Sequence, residues 1–103
     1  MTIQELTDLI LAQAKEKGWG ATKEEIQLPE QIALIHSEIS EIFEAYRHKN
    51  FEGEHGVQEE FADVLMRVLH VAGALEIDIE AELLKKIERN KKRDWKWDNL
   101  HKK

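Results

Sequence analysis

The sequence predicts an all-α protein in which four helices form a bundle around a central antiparallel helix hairpin. Glu, Lys, Leu, Ile and Ala are abundant, and these residue types favour helix. Apolar residues recur at intervals of three and four in four segments, which is the spacing of one helix face. The chain has one proline, and four of its five glycines lie between these segments, where they are expected to end helices.

The first helix is expected over residues 2–17. Thr2 and Glu5 have the spacing of a capping box, in which each residue satisfies a free amide of the first helical turn. Gly18 follows the last periodic residue and is typical of a helix end. A short piece from Thr22 is expected to form a single turn, because Thr22 and Glu25 repeat the capping-box spacing.

The second helix is expected from about residue 29 to residue 48. Pro29 is a favoured first-turn residue, and Glu30 suits the positive end of the helix dipole. Residues 50–56 include two glycines and are expected to form a turn. The third helix should follow over residues 57–75, and this short connection makes the second and third helices antiparallel neighbours.

The fourth helix is expected over residues 79–93, with Asp78 as its N-cap. At 103 residues, the chain has the length of one domain. Residues 1–103 are therefore interpreted as a single domain with a basic C-terminal tail at about residues 94–103.

Composition excludes several classes of protein. The absence of cysteine rules out disulfides and thiolate metal sites. A formal net charge of −6 argues against long nucleic acid as a partner, because duplex binding depends on Lys and Arg. The sequence shows neither a signal peptide nor an apolar stretch of about 20 residues. We therefore expect a cytoplasmic protein without a membrane partner.

Two carboxylates of the second helix occupy unexpected positions. With about 100° per residue, Glu38 falls within the apolar stripe that contains Ile35 and Ile42, and Glu41 falls at its edge. Glu44 lies on the opposite face, where solvation of a carboxylate is expected.

The third helix repeats this arrangement. Glu60 borders the apolar stripe, and Asp63 lies about 60° outside it. Arg67 falls between these two directions, so that its guanidinium is expected either to hold a carboxylate or to contact phosphate. Glu59 points away from the stripe.

The four carboxylates are expected to meet between the two helices. Residues that face each other across an antiparallel hairpin share one sum of residue numbers, and Glu38 with Asp63 and Glu41 with Glu60 both sum to 101. Buried negative charges need compensation, and carboxylate oxygens together with phosphate suit Mg²⁺ or Mn²⁺. The alternative is that these boundary residues form ion pairs with Arg67 or with lysines.

These residues carry a resemblance to a known family. The segment Glu38-Ile39-Ser40-Glu41 precedes Glu60-Phe61-Ala62-Asp63 by 18 intervening residues, which resembles the ExxE…ExxD motif of MazG-like nucleotide pyrophosphohydrolases. These proteins belong to the all-α nucleoside triphosphate pyrophosphatase superfamily. Lys86, Asn90 and Arg93 match the downstream Lys-x₃-Asn-x₂-Arg pattern, and the resemblance covers about residues 17–93.

The resemblance implies a MazG fold, a metal site and a reaction. Glu38, Glu41, Glu60 and Asp63 would hold Mg²⁺, for which Mn²⁺ is an expected substitute, and Glu38 or Glu41 would act as general base. The substrate would be a nucleoside triphosphate, split into monophosphate and diphosphate, with removal of non-standard nucleotides as an expected purpose. Family members form homodimers and homotetramers, so self-association is expected as well.

Further substrate contacts are expected from Lys86, Asn90 and Arg93, whose spacing places them on one helix face. An ordinary solvated face is the alternative for these three residues. Trp19, in a glycine-flanked turn, would either stack on the base or close the end of the bundle. Trp95 and Trp97 are interpreted as packing or interface residues. The tail around them lacks the glycine that many relatives have there.

The same residues are compatible with other functions. A dUTP- or dCTP-preferring hydrolase and a phosphoribosyl-ATP pyrophosphatase of the same superfamily would share the carboxylates. A non-catalytic helical interaction module would keep them only as structural residues. Glu52 and His55 have the spacing of a di-iron motif, but they lie in the turn and the motif occurs only once, whereas a ferritin-like site needs it twice.

Overall fold

The computed structural model describes residues 1–93, and within this range the chain forms four helices and no strand. The helices are α1 (Ile3–Lys17), α2 (Leu28–Arg47), α3 (Val57–Ala74) and α4 (Ile79–Lys91). The expected all-α class is therefore confirmed. Trp95, Trp97 and the basic tail lie outside the described residues. None of the four helices combines the length and the apolar character that crossing a membrane requires.

The helix ends follow the local sequence signals. The Thr2 hydroxyl accepts a hydrogen bond from the Glu5 amide at 3.0 Å, and Glu5 Oε1 accepts one from the Thr2 amide at 2.8 Å. Two hydrogen bonds with Thr2 lower the pKa of Glu5. The bond from the Thr2 backbone has the larger effect, and the bond that involves the Thr2 side chain has the smaller one. Gly18 ends α1 with a φ of 76°, in the left-handed region that glycine adopts without strain. Asp78 caps α4 by accepting from the Ala81 amide.

The segment between α1 and α2 forms a single turn, as expected, but its hydrogen bonds differ from a capping box. The Glu25 amide donates to the Thr22 carbonyl at 3.0 Å. The Glu25 carboxylate accepts a hydrogen bond from the Ala21 amide at 2.9 Å, whereas in a capping box it would accept one from the Thr22 amide. This segment contacts α3, because the Gly20 carbonyl oxygen lies 2.6 Å from His70 Nε2 and Ile26 packs with Val71 and Ala74.

Helices α2 and α3 pack along each other as the expected antiparallel hairpin, and α1 packs on α3. The α1–α3 contact is closest at Gly73, where a Cβ atom would lie 2.8 Å from both Leu11 Cδ1 and Thr7 Cγ2. Helix α4 contacts α1 and α3. The Gln4 amide donates to Glu80 Oε1 at 3.2 Å, so α4 begins beside the start of α1.

The apolar core of one chain is small. Its buried apolar residues are Ala14, Ile26, Ala45, Leu69, Val71, Ala72 and Ala74, and no large side chain is fully buried among residues 1–93. By contrast, large apolar side chains of α2 and α3 are half exposed or more, namely Ile39, Phe43, Tyr46, Phe61 and Leu65. The central hairpin therefore carries apolar surface that the described part of a single chain does not cover.

Candidate metal centre

Three of the four predicted carboxylates converge between α2 and α3. Glu38, Glu60 and Asp63 each offer an oxygen within 4.8 Å of the oxygens of the other two. Glu60 is only 3% exposed, and the Glu38 side chain is 15% exposed. The antiparallel pairing of the hairpin thus gathers acidic groups from two helices at a largely buried position.

Two of the converging carboxylates, Glu38 and Glu60, each have an oxygen without a hydrogen-bond partner among the described residues. Glu38 Oε2 and Glu60 Oε2 are inaccessible to solvent, and no described residue bonds to either. Arg67 donates from Nε to the other Glu38 oxygen, Oε1, at 3.0 Å. A buried acceptor left without a partner is costly, so this geometry suits a cation with oxygen ligands, such as Mg²⁺ or Mn²⁺.

Glu41 differs from the other three predicted ligands because it is exposed and lies outside their group. It lines a cavity of about 640 Å³, here called the acidic cavity, which also reaches the three converging carboxylates. No Lys or Arg belongs to the described lining. Within the described residues, the lining itself therefore supplies no Lys or Arg to compensate its acidic side chains. The acidic cavity is lined by Glu38, Glu41, Glu44, Ala45, His48, Asn50, His55, Glu60 and Asp63.

A second cavity, of about 500 Å³, adjoins the same carboxylates and is here called the Trp19 cavity. Trp19 is 56% exposed, so more than half of its surface is accessible to solvent. Since Glu38 and Asp63 line both cavities, the carboxylates lie where the two meet. The Trp19 cavity is lined by Ile10, Gln13, Ala14, Trp19, Gln31, Leu34, Glu38, Asp63, Met66, Arg67 and His70.

Comparison with protein-family models, with curated proteins and with solved structures finds no match for this chain. The resemblance to MazG-like pyrophosphohydrolases consequently depends on the motif residues alone.

The predicted substrate-binding residues near the end of the described chain are not brought to this centre. Lys86, Asn90 and Arg93 line neither cavity, and α4 packs on α1 and α3. Because α4 ends at Lys91 and not at residue 93 as expected, Arg93 lies beyond the helix that was expected to carry all three residues. Lys86 is exposed, whereas Asn90 and Arg93 are partly buried. Their contact with substrate stays a prediction.

Sequence reasoning did not anticipate a second group of possible metal ligands, formed by His55, Glu59 and Glu60. His55 has a φ of 61°, and this turn brings its Nδ1 to 3.9 Å from Glu60 Oε1. Glu59 is exposed, as expected, and accepts a hydrogen bond from the His55 amide at the start of α3. This helix-start contact explains the position of Glu59 without a metal.

Gln31 and His70, which line the Trp19 cavity, were also assigned no role from the sequence. Gln31 stands one turn into α2, and His70 lies among the apolar residues of α3, where a histidine is usually part of the core. The sequence does contain one feature that places them together, because their residue numbers sum to 101 as those of Glu38 and Asp63 do.

Proposed function

We propose that this protein is a Mg²⁺-dependent, MazG-like nucleoside triphosphate pyrophosphohydrolase. The observation that carries the proposal is the pair of buried carboxylate oxygens, Glu38 Oε2 and Glu60 Oε2, that have no described partner. They lie beside Asp63 in the group of converging carboxylates. A structural role alone leaves these oxygens unexplained, whereas a dication would satisfy them.

Glu38, Glu60 and Asp63 are proposed to hold the metal. Bound Mg²⁺ supplies neutralisation of phosphate charge and a lower pKa for coordinated water. Arg67 keeps the Glu38 carboxylate oriented through its bond to Oε1. Glu41 is exposed and lines the acidic cavity beside these groups, so it is the better placed of the two proposed general bases to accept a proton from water.

The two cavities suggest how a nucleotide would lie. Apolar side chains, including Ile10, Leu34 and Met66, line much of the Trp19 cavity. Base and sugar are proposed to occupy this cavity, where the Trp19 ring is available for stacking. The phosphates would then lie at the carboxylates and extend into the acidic cavity.

The proposal is tested by measuring pyrophosphate release from NTPs and dNTPs, including dUTP, dCTP and phosphoribosyl-ATP, with Mg²⁺ or Mn²⁺. We expect metal-dependent release, with one substrate group preferred. Glu41→Gln and Glu60→Gln should each lower kcat by at least about a hundredfold, as loss of a base or a metal ligand does. Glu16→Gln, on the exposed surface of α1, is the matched control and should retain activity.

Two results would contradict the proposal. Absence of pyrophosphate release from every substrate would exclude the activity. Equal rates for wild type, Glu41→Gln and Glu60→Gln would show that any release comes from a contaminant or from another site. A folded, inactive protein that binds neither Mg²⁺ nor Mn²⁺ would instead favour the non-catalytic interaction module.

We also propose that the chain associates with itself through the apolar surface of the hairpin, as a homodimer or homotetramer. The exposed side chains of Phe43, Phe61 and Leu65 support this proposal, because contiguous apolar surface marks interaction sites. Light scattering measures the mass in solution. A monomer at working concentration would refute self-association and leave the proposed chemistry unaffected.

A further inference from the structure

The register of the hairpin pairs two further polar residues. Gln31 and His70 sum to 101, as do Glu38 and Asp63, and all four residues line the Trp19 cavity. Gln31 precedes Glu38 by seven residues, and His70 follows Asp63 by seven residues. Seven residues are about two helical turns, so α2 and α3 each present a carboxylate and, two turns away on the same side, a neutral polar group.

The hydrogen-bonding roles of Gln31 and His70 can be assigned from their contacts. His70 is 8% exposed, and its Nε2 lies 2.6 Å from the Gly20 carbonyl oxygen. A carbonyl only accepts, so Nε2 is the donor of this hydrogen bond, and in the Nε2–H tautomer Nδ1 is an acceptor. Gln31 Oε1 is inaccessible to solvent and has no partner among the described residues. Both groups therefore present acceptors that a ligand N–H can satisfy.

Trp19 belongs to the same end of the cavity. It directly precedes Gly20, whose carbonyl is held by His70, and its ring lines the cavity with Gln31 and His70. Two turns of helix separate Gln31 from Glu38 by about 10 Å along the axis. A base with its ribose bridges a span of this kind, with its edge at one end and its α-phosphate at the other.

We propose that Gln31 and His70 recognise the N–H edge of a nucleobase stacked on Trp19, and that Gln31 thereby determines base specificity. This inference rests on the proposed function, because it places the base of the same substrate. Buried groups that hydrogen-bond a substrate N–H discriminate strongly against substrates that leave them unpaired. Gln31 consequently distinguishes bases by the position of their donors.

The first test compares kcat/KM for dATP, dGTP, dCTP, dTTP and dUTP in wild type, Gln31→Leu and Gln58→Leu. Leucine keeps the approximate volume of glutamine and removes its hydrogen bonds. We expect the ratio between the best and the worst substrate to fall at least tenfold in Gln31→Leu. Gln58→Leu changes an exposed residue of α3 outside both cavities and should keep the wild-type ratio.

The second test measures binding of the five corresponding deoxynucleoside monophosphates in EDTA by saturation-transfer NMR. We expect saturation of base protons in wild type and an affinity for the preferred monophosphate at least tenfold weaker in Gln31→Leu. This arm needs neither metal nor hydrolysis. It therefore tests the role of Gln31 in base recognition even if no triphosphate is hydrolysed. Absence of hydrolysis would overturn the proposed function and would leave this inference to be decided by the binding measurement.

The inference itself is overturned by either of two results. One is hydrolysis with the same base preference in wild type and Gln31→Leu, or with no preference in wild type. The other is monophosphate binding that is absent or unaffected by Gln31→Leu. Both leave the metal centre and its proposed reaction intact.

Discussion

Arg67 Nε donates a hydrogen bond to Glu38 Oε1 at 3.0 Å and thereby connects α3 to α2 beside the carboxylate group. The Arg67 side chain is 36% exposed and that of Glu38 is 15% exposed. Glu38 is one of three carboxylates that each offer an oxygen within 4.8 Å of those of the other two. The structure thus shows the ion pair that was one of the two roles expected for Arg67, and Arg67 also reaches the Trp19 cavity.

Replacing Arg67 by Gln should lower the free energy of unfolding by about 1–2 kcal/mol, because a partly buried charged hydrogen bond is lost. Saturating Mg²⁺ should recover most of this loss, since a bound cation compensates Glu38. Urea unfolding with and without Mg²⁺ measures both effects. Arg47→Gln removes an exposed pair with Glu44, and its cost relative to wild type should be less than about 1 kcal/mol and the same with and without Mg²⁺. A cost of Arg67→Gln relative to wild type that is also unchanged by Mg²⁺ would contradict the prediction.

Metal binding should stabilise the folded chain. At free Mg²⁺ about a hundredfold above its Kd, binding to the folded state alone contributes about 2.7 kcal/mol, and thermal unfolding should shift upward accordingly. Glu60→Gln should lose this shift. In EDTA it should be at least as stable as wild type, because one of the crowded carboxylates becomes neutral. Wild type that melts at the same temperature in EDTA and in Mg²⁺ or Mn²⁺ would refute the metal centre.

The capping box of α1 should make a pH-dependent contribution to stability. Hydrogen bonds from Thr2 lower the pKa of Glu5, so its carboxylate is bound more strongly in the folded state than in the unfolded state. The contribution is present above the unfolded pKa and is lost as pH falls through the lowered folded pKa. The stability difference between wild type and Glu5→Ala, from urea unfolding at several pH values, should shrink on acidification. A difference that is constant or grows at acidic pH would contradict this assignment.

Gly73→Ala should destabilise the protein, although alanine is the better helix former. The new Cβ would lie 2.8 Å from Thr7 Cγ2 and from Leu11 Cδ1. Thr7 cannot easily rotate away, because its hydroxyl donates to the Ile3 carbonyl at 2.8 Å. We expect a loss of about 1–3 kcal/mol, as for other overpacked sites. Ser37→Ala, on the exposed side of α2, is the control, and a stabilised Gly73→Ala would show that α1 and α3 are not in close contact.

Much of the hairpin could be predicted from local patterns. Caps and glycines mark helix ends within one or two turns of chain, so the starts of α1 at Thr2 and of α4 after Asp78 agree with expectation. The connection between α2 and α3 is short, so the register of the two helices could be predicted. The convergence of Glu38 with Asp63 could be predicted from that register. Glu41 shows where this reasoning fails. Its residue number pairs it with Glu60, but its position at the edge of the apolar stripe leaves it exposed.

The sequence by itself determined the four helices, their apolar faces and the register of α2 against α3, because periodicity, capping and turn length act within short stretches of chain. Only the tertiary structure decided that Arg67 bonds Glu38 and that Trp19, Gln31 and His70 share a cavity with the carboxylates. These relationships depend on how far each helix rotates about its axis and on where the chain returns after α1. Both are set by packing between residues distant in sequence, which no local pattern encodes.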